Sequence, residues 1–470
     1  MAGSSGARFW VEVKTVLALA VPVAIAELGW VSMNVVDTIM VGRLGPAAIG
    51  AIAVGGSSFY TFAVFGLGLL LGLDTLVSQS WGAGDRDDCY RSVAQGTYVA
   101  LFLTPLLMAL FSLMPHAFTF FGIQSEVAVQ AGAFIRTLSL STLPLLLYGA
   151  FRRYLQGVGH VRPVMVVLIS ANLINWLFNW LLITGRWGFP ALGVTGSALS
   201  TCLARVYMAG CLGLVIVFFE RRSLDRLRHS FRRPDGPRLK RLLKIGFPAA
   251  TQILLEIGAF GSAAVLAGRL ALVALAAHQI AINAASVSFM IPLGIASAAA
   301  VAVGQAVGQR DIHLARKRGF IAIGIASVFA LGAAALFLLE PTAILRLYTR
   351  NEGVLETGIT LLALAGSFQL FDGVQVVATG ALRGLGETRI PMLVNLAGYW
   401  FLGLPVGAFL CFQRHYGVFG LWIGLTLALC AIAITLFLYW HSHSRPKSPL
   451  NAVWLAPGES SPEFEAIHLG

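Results

Sequence analysis

The sequence predicts an all-α membrane protein with twelve transmembrane helices, arranged as two six-helix lobes related by a pseudo-two-fold axis. Three observations predict this fold: the composition, the length of the apolar segments and an internal repeat. Of the 470 residues, 57% are hydrophobic and only 11% are charged, and the mean hydropathy is +0.80. Soluble globular domains carry about 25% charged residues. We therefore expect the apolar surface of this chain to lie in lipid.

Apolar segments of about 20 residues or more recur along the whole chain, and each is long enough to cross a hydrocarbon core about 30 Å thick as a helix. The segments are continuously apolar rather than alternating, and every backbone group in lipid must be paired, so helices are predicted and not a β-barrel. The predicted spans are residues 15–40, 47–80, 93–114, 131–151, 163–184, 193–219, 245–268, 274–305, 319–340, 357–380, 391–411 and 417–440.

The two halves of the chain repeat one another. Residues 22–85 align with residues 248–311 without a gap, with 14 identities in 64 positions. Because each half holds an even number of spans, both halves insert with the same orientation, and the axis that relates them runs along the membrane normal. Such a pair encloses a central cleft. The repeated residues include Pro22 and Pro248, Gln79 and Gln305, Gly82 and Gly308, and Asp85 and Asp311.

A basic segment divides the chain near its middle. Residues 221–244 hold ten arginines and lysines and are predicted to link an N-lobe, residues 1–220, to a C-lobe, residues 245–440. With both termini in the cytoplasm, 25 of the 33 basic residues fall in cytoplasmic loops and tails, as the positive-inside rule requires. The polar tail, residues 441–470, has no apolar period and is predicted to be mobile.

The composition also argues against several function classes. The net charge of +12 is explained by loops that face anionic lipid, so no nucleic-acid partner is expected. The five cysteines are scattered and form neither a metal-ligand spacing nor a disulfide framework. No nucleophile–base pair or metal constellation stands out within the spans, so we expect neither an enzyme nor a cofactor. The first apolar segment is too long for a signal-peptide core and is predicted to be retained.

Ionisable residues within the predicted spans are the main candidates for a functional site. A charged side chain near the centre of a bilayer costs at least about 2.5 kcal/mol. A buried carboxyl group can exchange a proton for Na⁺ or an organic cation, because burial favours its neutral form and a bound cation favours its charged form. The candidates are Glu27, Asp37, Asp74, Arg205, Glu256, His278 and Asp372.

Three acids are the first choice for binding a coupling cation. Glu256 and Asp372 lie near the middle of their spans in the same lobe, which makes them a candidate Na⁺ site. Asp37 lies in the outer part of the first span, downstream of Pro22, whose kink can open its surroundings. For each acid the alternative is a hydrogen bond to a neighbouring helix or an ion pair with Arg205.

The remaining ionisable residues are expected to have mainly structural roles. Asp74 precedes the loop sequence SQSWGAGD and is either a structural cap or a gate. Glu27 and Arg205 are expected to pair or hydrogen-bond within the helix bundle. His278 is expected to be packed and hydrogen-bonded, with a titrating histidine as the alternative.

Uncharged polar residues add candidates for a cleft lining. Three asparagines of the fifth span fall on one helical face, and such a stripe is not expected to face lipid. On the eighth span a glutamine and an asparagine lie four residues apart, ahead of a Phe-Met pair, and such adaptable surfaces suit varied apolar cations. Ordinary packing between helices is the alternative. The candidates are Asn172, Asn175, Asn179, Gln279, Asn283 and Phe289.

Three motifs carry a family resemblance: VPVAIAELGWVSMNVVDTIMVGRLG in the first span, AAHQIAINAASVSFMIPLGIA in the eighth and GALRGLGETRIPM after the tenth. From about residue 10 to 440 the chain resembles the NorM branch of the multidrug and toxic compound extrusion (MATE) family. The resemblance implies two lobes in a V shape and export of cationic lipophilic drugs, driven by Na⁺ or H⁺ entry. It assigns the cation site of the C-lobe to Glu256 and Asp372 and the acid of the N-lobe to Asp37. Asn175 also matches the NorM pattern. Phe289 lies at a position where NorM proteins carry an aromatic residue, and as a phenylalanine it lacks the hydroxyl that a tyrosine would place there.

Together these observations favour a monomeric antiporter of the bacterial inner membrane that exchanges Na⁺ or H⁺ for small cationic compounds by alternating access. Its expected partners are the exported compound, the coupling cation and membrane lipid. The alternative within the same superfamily is a flippase for lipid-linked precursors. A flippase should hold phosphate groups with Arg and Lys, whereas the cleft candidates of this chain are acidic.

Overall fold

A computed structural model describes residues 2–120 and 122–445, and every regular element that these residues form is a helix. The helices of the first half are Ala2–Gly42 (α1), Pro46–Leu69 (α2), Gly72–Gly82 (α3), Arg86–Phe120 (α4), Ser125–Ser139 (α5), Thr142–Gly157 (α6), Val161–Thr184 (α7) and Gly193–Phe219 (α8). A 3₁₀ turn at Arg221–Ser223 and a short helix, Leu224–Ser230 (α9), follow.

The second half is built in the same way. Its helices are Gly236–Ala267 (α10), Leu272–Gly308 (α11), Ile312–Leu339 (α12), Pro341–Arg346 (α13), Glu352–Leu385 (α14), Arg389–Asn395 (α15), Leu404–Ala408 (α16) and Gly417–His443 (α17). Two π-helical segments, Leu396–Gly403 and Phe409–Gln413, make the stretch from α15 through α16 one continuous span.

The all-α prediction is confirmed. Within the described residues, eleven helical stretches are long and apolar enough to cross a membrane, and α5 with α6 forms a twelfth across a bend. α2 and α3 count as one of the eleven, because they form a single stretch from Pro46 to Gly82.

The fourth predicted span, residues 131–151, is not one continuous helix. It breaks between α5 and α6, whose axes differ by 50°. Pro144 in the first turn of α6 lacks the N–H that would continue the helix. The hydroxyls of Ser141 and Thr142 donate instead to the carbonyls of Leu138 and Ser139, at 2.6 and 2.7 Å. The break is therefore a local consequence of the sequence STLP.

The linker and the start of the tail contain helical residues that the sequence analysis did not predict. Residues 221–244 contain α9 and the first turns of α10, which begins at Gly236. Asp235 caps α10, because its carboxylate accepts a hydrogen bond from the Arg238 amide at 3.1 Å. At the other end α17 continues to His443, so the tail is helical over residues 441–443. The rest of the tail predicted to be mobile, from residue 446, lies outside the described residues.

Each half has its own apolar core, and α1 contributes to both. Val16 and Val23 pack with the core of the second half, whereas Ala26, Met33 and Val41 further along the same helix pack with the core of the first half. Pro22 lies between the two sets. The first span therefore crosses from one lobe core to the other.

Contacts between the halves repeat with the symmetry of the sequence. A Cβ added at Gly68 would lie 2.6 Å from the Cα of Ala250, and a Cβ added at Gly294 would lie 2.5 Å from the Cα of Ala24. Gly68 is equivalent to Gly294 and Ala24 to Ala250, because the two residues of each pair are 226 positions apart, which is the offset of the sequence repeat. The two halves therefore meet across a pseudo-two-fold axis, as two identical subunits would.

A second symmetric set involves the repeated glutamines. Gln79 Nε2 donates to the carbonyl of Gly384 at 2.9 Å, and Gln305 Nε2 donates to the carbonyl of Gly157 at 2.9 Å. Gly157 and Gly384 are equivalent positions of the QGVG and RGLG motifs. All of these contacts lie in the halves of the helices that adjoin the loops predicted to be cytoplasmic. The two halves are therefore packed together on that side.

Candidate functional site

Asp37 lies in a buried polar pocket formed by α1, α7 and α8. Asn179 Nδ2 donates to Asp37 Oδ1 at 2.6 Å, and the Thr201 hydroxyl donates to Asp37 Oδ2 at 3.0 Å. Asn179 Nδ2 also donates to Asn175 Oδ1 at 3.1 Å. Both asparagines are completely buried. The carboxylate is thus held by neutral donors from two neighbouring helices.

Asn172 does not join this pocket, although it shares a helix with Asn175 and Asn179. Its side-chain amide donates to the carbonyl of Gly29 on α1 at 3.0 Å and to that of Leu168 at 2.9 Å. It ties α7 to the backbone of α1 one to two turns away from the carboxylate. The structure therefore brings two of the three predicted asparagines to Asp37.

Glu256 on α10 and Asp372 on α14 lie in the same half, close enough for their charges to interact. Asp372 is buried and Glu256 is half-buried. Within the described residues, neither carboxylate forms an ion pair with a basic side chain. Two neighbouring carboxylates without a counter-ion repel each other, so the pair is suited to binding a proton or a cation.

More polar groups surround this pair. Thr379 follows Asp372 on the same face of α14, and its hydroxyl is buried without a hydrogen-bond partner. The hydroxyl of Tyr399 is also buried and unpartnered, and it lies within the electrostatic reach of both carboxylates. The Tyr399 ring contacts Phe260, one turn after Glu256 on α10, with 5.8 Å between centroids. Unpartnered buried hydroxyls beside two acids can serve as ligands to a cation.

The three candidates on α11 have contacts of their own. Gln279 and Asn283 are exposed on the N-terminal half of α11, and the Asn283 side-chain oxygen accepts a hydrogen bond from Tyr348 at 2.9 Å. Phe289 is half-buried and packs against the core of the second half. A cleft-lining role for these three residues stays a prediction.

Two of the other acids have basic partners. Glu27 forms a buried ion pair with Arg152. Asp74 is fully buried between Arg153 of its own half, at 3.2 Å, and Arg383 of the other half, at 3.4 Å. The ion pair between Asp74 and Arg383 joins the two halves, and whether Asp74 acts as a structural cap or as a gate stays a prediction.

Among the described residues, Arg205 forms no ion pair with an acid, contrary to the alternative drawn from the sequence, although its charge reaches Asp37. Its guanidinium donates to the Ser141 hydroxyl at 2.8 Å and lies 4.8 Å from the centre of the Phe59 ring. His278 is packed and hydrogen-bonded as expected, because its Nδ1 accepts a hydrogen bond from the Trp422 indole at 3.0 Å.

Sequence reasoning missed Thr201 and Tyr399. A signal for Thr201 was present, since Ser197, Thr201 and Arg205 recur every four residues and form one polar face in an otherwise apolar span. Tyr399 carried no such signal. It is an aromatic residue in an apolar run, and only the packing of its segment against α10 places its hydroxyl near the acids.

Comparison with known families agrees with this architecture. A family model described as MatE matches the chain twice, over residues 22–181 and residues 248–409. The chain belongs to the MatE family. The double match falls once on each half and covers the helices that carry Asp37, Glu256 and Asp372. The resemblance to the MATE family is thereby confirmed, and the relatives named NorM, given next, confirm the NorM branch. This MatE protein is a multi-span membrane protein.

Individual relatives extend over nearly the whole chain. It is 33% identical to a probable multidrug resistance protein NorM from Mesorhizobium japonicum over 93% of this chain and 96% of the relative. It is 35% identical to the multidrug resistance protein NorM from Burkholderia vietnamiensis over 92% of this chain and 94% of the relative. In structure it resembles the eukaryotic MATE transporter AtDTX14, with a TM-score of 0.84, 23% identity and coverage of 95% of this chain and 100% of that chain.

Proposed function

We propose that this MatE protein is a multidrug efflux transporter of the bacterial inner membrane that exchanges Na⁺ or H⁺ for cationic lipophilic compounds. The names of its relatives support drug export. Glu256 and Asp372 bind the coupling ion, and Asp37 is a second point at which a proton or a substrate cation binds. The exchange involves binding and release alone, with no covalent chemistry.

One observation carries the proposal. Asp37, Glu256 and Asp372 form no ion pair with a basic side chain among the described residues, whereas the buried acids Glu27 and Asp74 are each paired with arginine. The charge of Arg205 reaches Asp37 from beyond ion-pair distance. Burying a carboxylate without a counter-ion is costly, so such a group is kept neutral by a proton or charged by a bound cation. A site that alternates between these two states supports exchange of one cation for another.

The packing of the two halves suggests how exchange is coupled to movement. The halves meet on the predicted cytoplasmic side, so a cation would reach the acids from the opposite side in this state. Entry of one elementary charge down a potential of 100 mV supplies about 2.3 kcal/mol. Occupancy of the acids by the coupling ion would release the exported compound and favour rocking of the lobes to the inward-facing state.

The flippase alternative is less favoured by the distribution of charge. Arg152, Arg153 and Arg383 are each engaged by an acid, and the guanidinium of Arg205 donates to the Ser141 hydroxyl. The three acids named above, in contrast, form no ion pair among the described residues. A cleft that holds phosphate groups would show the reverse arrangement.

The test is ethidium efflux from proteoliposomes under imposed Na⁺ or proton gradients. We expect Asp372→Asn and Glu256→Gln to reduce gradient-driven efflux by about tenfold or more, which corresponds to about 1.4 kcal/mol. The matched control is Glu356→Gln, because Glu356 is an exposed acid on the same helix as Asp372. Undiminished efflux in both acid variants, or an equal loss in the control, would contradict the assignment of the C-lobe site.

A further inference from the structure

A pocket of about 300 Å³ lies at one end of α8, away from the acids described above. The residues that line it include three arginines, Arg86, Arg221 and Arg222, and two aromatic residues, Phe218 and Phe219. Arg86 is the first residue of α4, and Phe219 is the last residue of α8. The pocket is therefore built from the ends of two spans and the start of the inter-lobe linker.

The position of the pocket along α4 and α8 indicates its depth in the membrane. The candidate span of α4 begins at Arg86, and that of α8 ends at Phe219. The pocket thus lies where the apolar part of two neighbouring spans gives way to polar chain. Phe218 is 63% exposed and Phe219 is 45% exposed. Because these rings occupy the last turn of a candidate membrane span, we expect them to face lipid, with the arginines at the level of the headgroups.

The charge of the pocket is positive despite one acid in its wall. Glu220 is engaged elsewhere, because it accepts hydrogen bonds from the hydroxyls of Tyr90 at 2.5 Å and Tyr154 at 3.0 Å. Within the described residues, none of the three arginines forms an ion pair. The guanidinium of Arg221 lies 5.3 Å from the centre of the Phe218 ring. Stacked in this way, a guanidinium still presents its N–H groups to an oxygen acceptor.

We propose that this pocket binds the phosphate headgroup of an anionic phospholipid, whose acyl chains lie along Phe218 and Phe219. Planar guanidinium groups pair with phosphate oxygens through two parallel hydrogen bonds, and adjacent arginines can do so together. A free phosphate would use the arginines alone, whereas a lipid also contacts the two exposed rings. Since Arg221 and Arg222 begin the linker, the bound lipid holds the start of the linker at the membrane surface.

The experiment uses the full-length protein in detergent and native mass spectrometry. Phosphatidylglycerol, phosphatidylcholine and glycerol 3-phosphate are titrated separately. The test variant is Arg221→Gln with Arg222→Gln, and the matched control is Arg232→Gln with Arg233→Gln. The control removes two adjacent arginines from the same linker outside the pocket.

We expect the test variant to bind phosphatidylglycerol at least about tenfold more weakly, since each arginine at a membrane surface contributes about a fivefold effect. The control pair should retain the affinity of the wild type. Phe218→Ala should weaken phosphatidylglycerol binding without changing that of glycerol 3-phosphate, and its thermal unfolding in phosphatidylcholine serves as a check on folding. Equal losses in both arginine variants, or glycerol 3-phosphate binding as tight as that of the lipid, would overturn the proposal.

Discussion

The two halves of this protein hold their acids in opposite ways. In the first half Asp37 is surrounded by neutral donors, and Asn179 and Thr201 each hold one of its oxygens. In the second half Glu256 and Asp372 face each other's charge, with a buried unpartnered hydroxyl on Tyr399 nearby. In the first arrangement, hydrogen bonds from neutral donors offset part of the cost of burying a single carboxylate. The second leaves two carboxylates that need a cation or a proton.

The difference shows that duplication preserved the scaffold and not the chemistry. In the register of the repeat, Asp37 is equivalent to Ala263 and Glu256 to Trp30. Trp30 stacks on Tyr148 with 6.0 Å between ring centroids, so an acid position in one half is a packing position in the other. Several residues that do repeat lie where the halves meet, namely Gly68 and Gly294, Gly82 and Gly308, and Gln79 and Gln305. Each half can therefore have its own binding role on a shared frame.

The largest effect is expected at the symmetric contacts. Gly68→Ala and Gly294→Ala each place a methyl group against the backbone of the other half. Overpacking costs about 1–3 kcal/mol, and a cost of that size at this interface should lower the population of the state packed on the cytoplasmic side roughly five- to hundredfold. Pulsed EPR distances between spin labels on the two lobes, with ethidium efflux in parallel, measure the change.

Both glycine variants should behave alike, because their contacts are equivalent by symmetry. Gly261→Ala on α10 is the control, since no neighbouring atom lies within 4 Å of its added Cβ. A strong effect of one variant without the other would show that the two-fold equivalence of the interface does not hold energetically.

An intermediate effect is expected in the pocket of the first half. Thr201→Val removes a donor to the Asp37 carboxylate, and a hydrogen bond to a charged group contributes about 1.5–3 kcal/mol. The charged form loses this stabilisation, so the midpoint of the pH dependence of efflux should rise by about one to two pH units. Thr104→Val is the control, because the Thr104 hydroxyl donates only to the backbone of its own helix. An unchanged pH midpoint would mean that Asp37 does not titrate during transport.

The smallest effect is expected at the acid pair of the second half. Tyr399→Phe removes a buried hydroxyl that has no partner, which by itself is close to neutral for stability. If that hydroxyl is a ligand of the coupling ion, efflux at low Na⁺ should fall by about threefold or more, the equivalent of one neutral hydrogen bond. Tyr148→Phe is the matched control, because Tyr148 lies in the first half and its hydroxyl is also buried without a hydrogen-bond partner. Equal results for both variants would remove Tyr399 from the ion site.

Part of this description could be predicted from the sequence because it depends on local properties. The apolar segments gave the helices, since length and composition decide whether a segment can cross a membrane. Even the break between α5 and α6 has a local cause in Pro144, although it was not predicted. The burial and chemistry of Asp37, Glu256 and Asp372 marked them as candidates. The spacing of the asparagines on α7 placed Asn175 and Asn179 on one face. It could not show that Asn172, on the same face, donates to the backbone of Gly29 instead.

The sequence by itself determined the helical membrane fold, the repeat and the acids that require an explanation. The tertiary structure decided the partners: Glu27 pairs with Arg152 and not with Arg205, and Asp37 receives a hydrogen bond from Thr201. The reason is physical. Periodicity shows which residues share a face of one helix, but the helix that packs against this face depends on how all the spans assemble. The repeated glycines and glutamines belong to both accounts, because the sequence reveals that they recur and only the fold shows that they join the two halves.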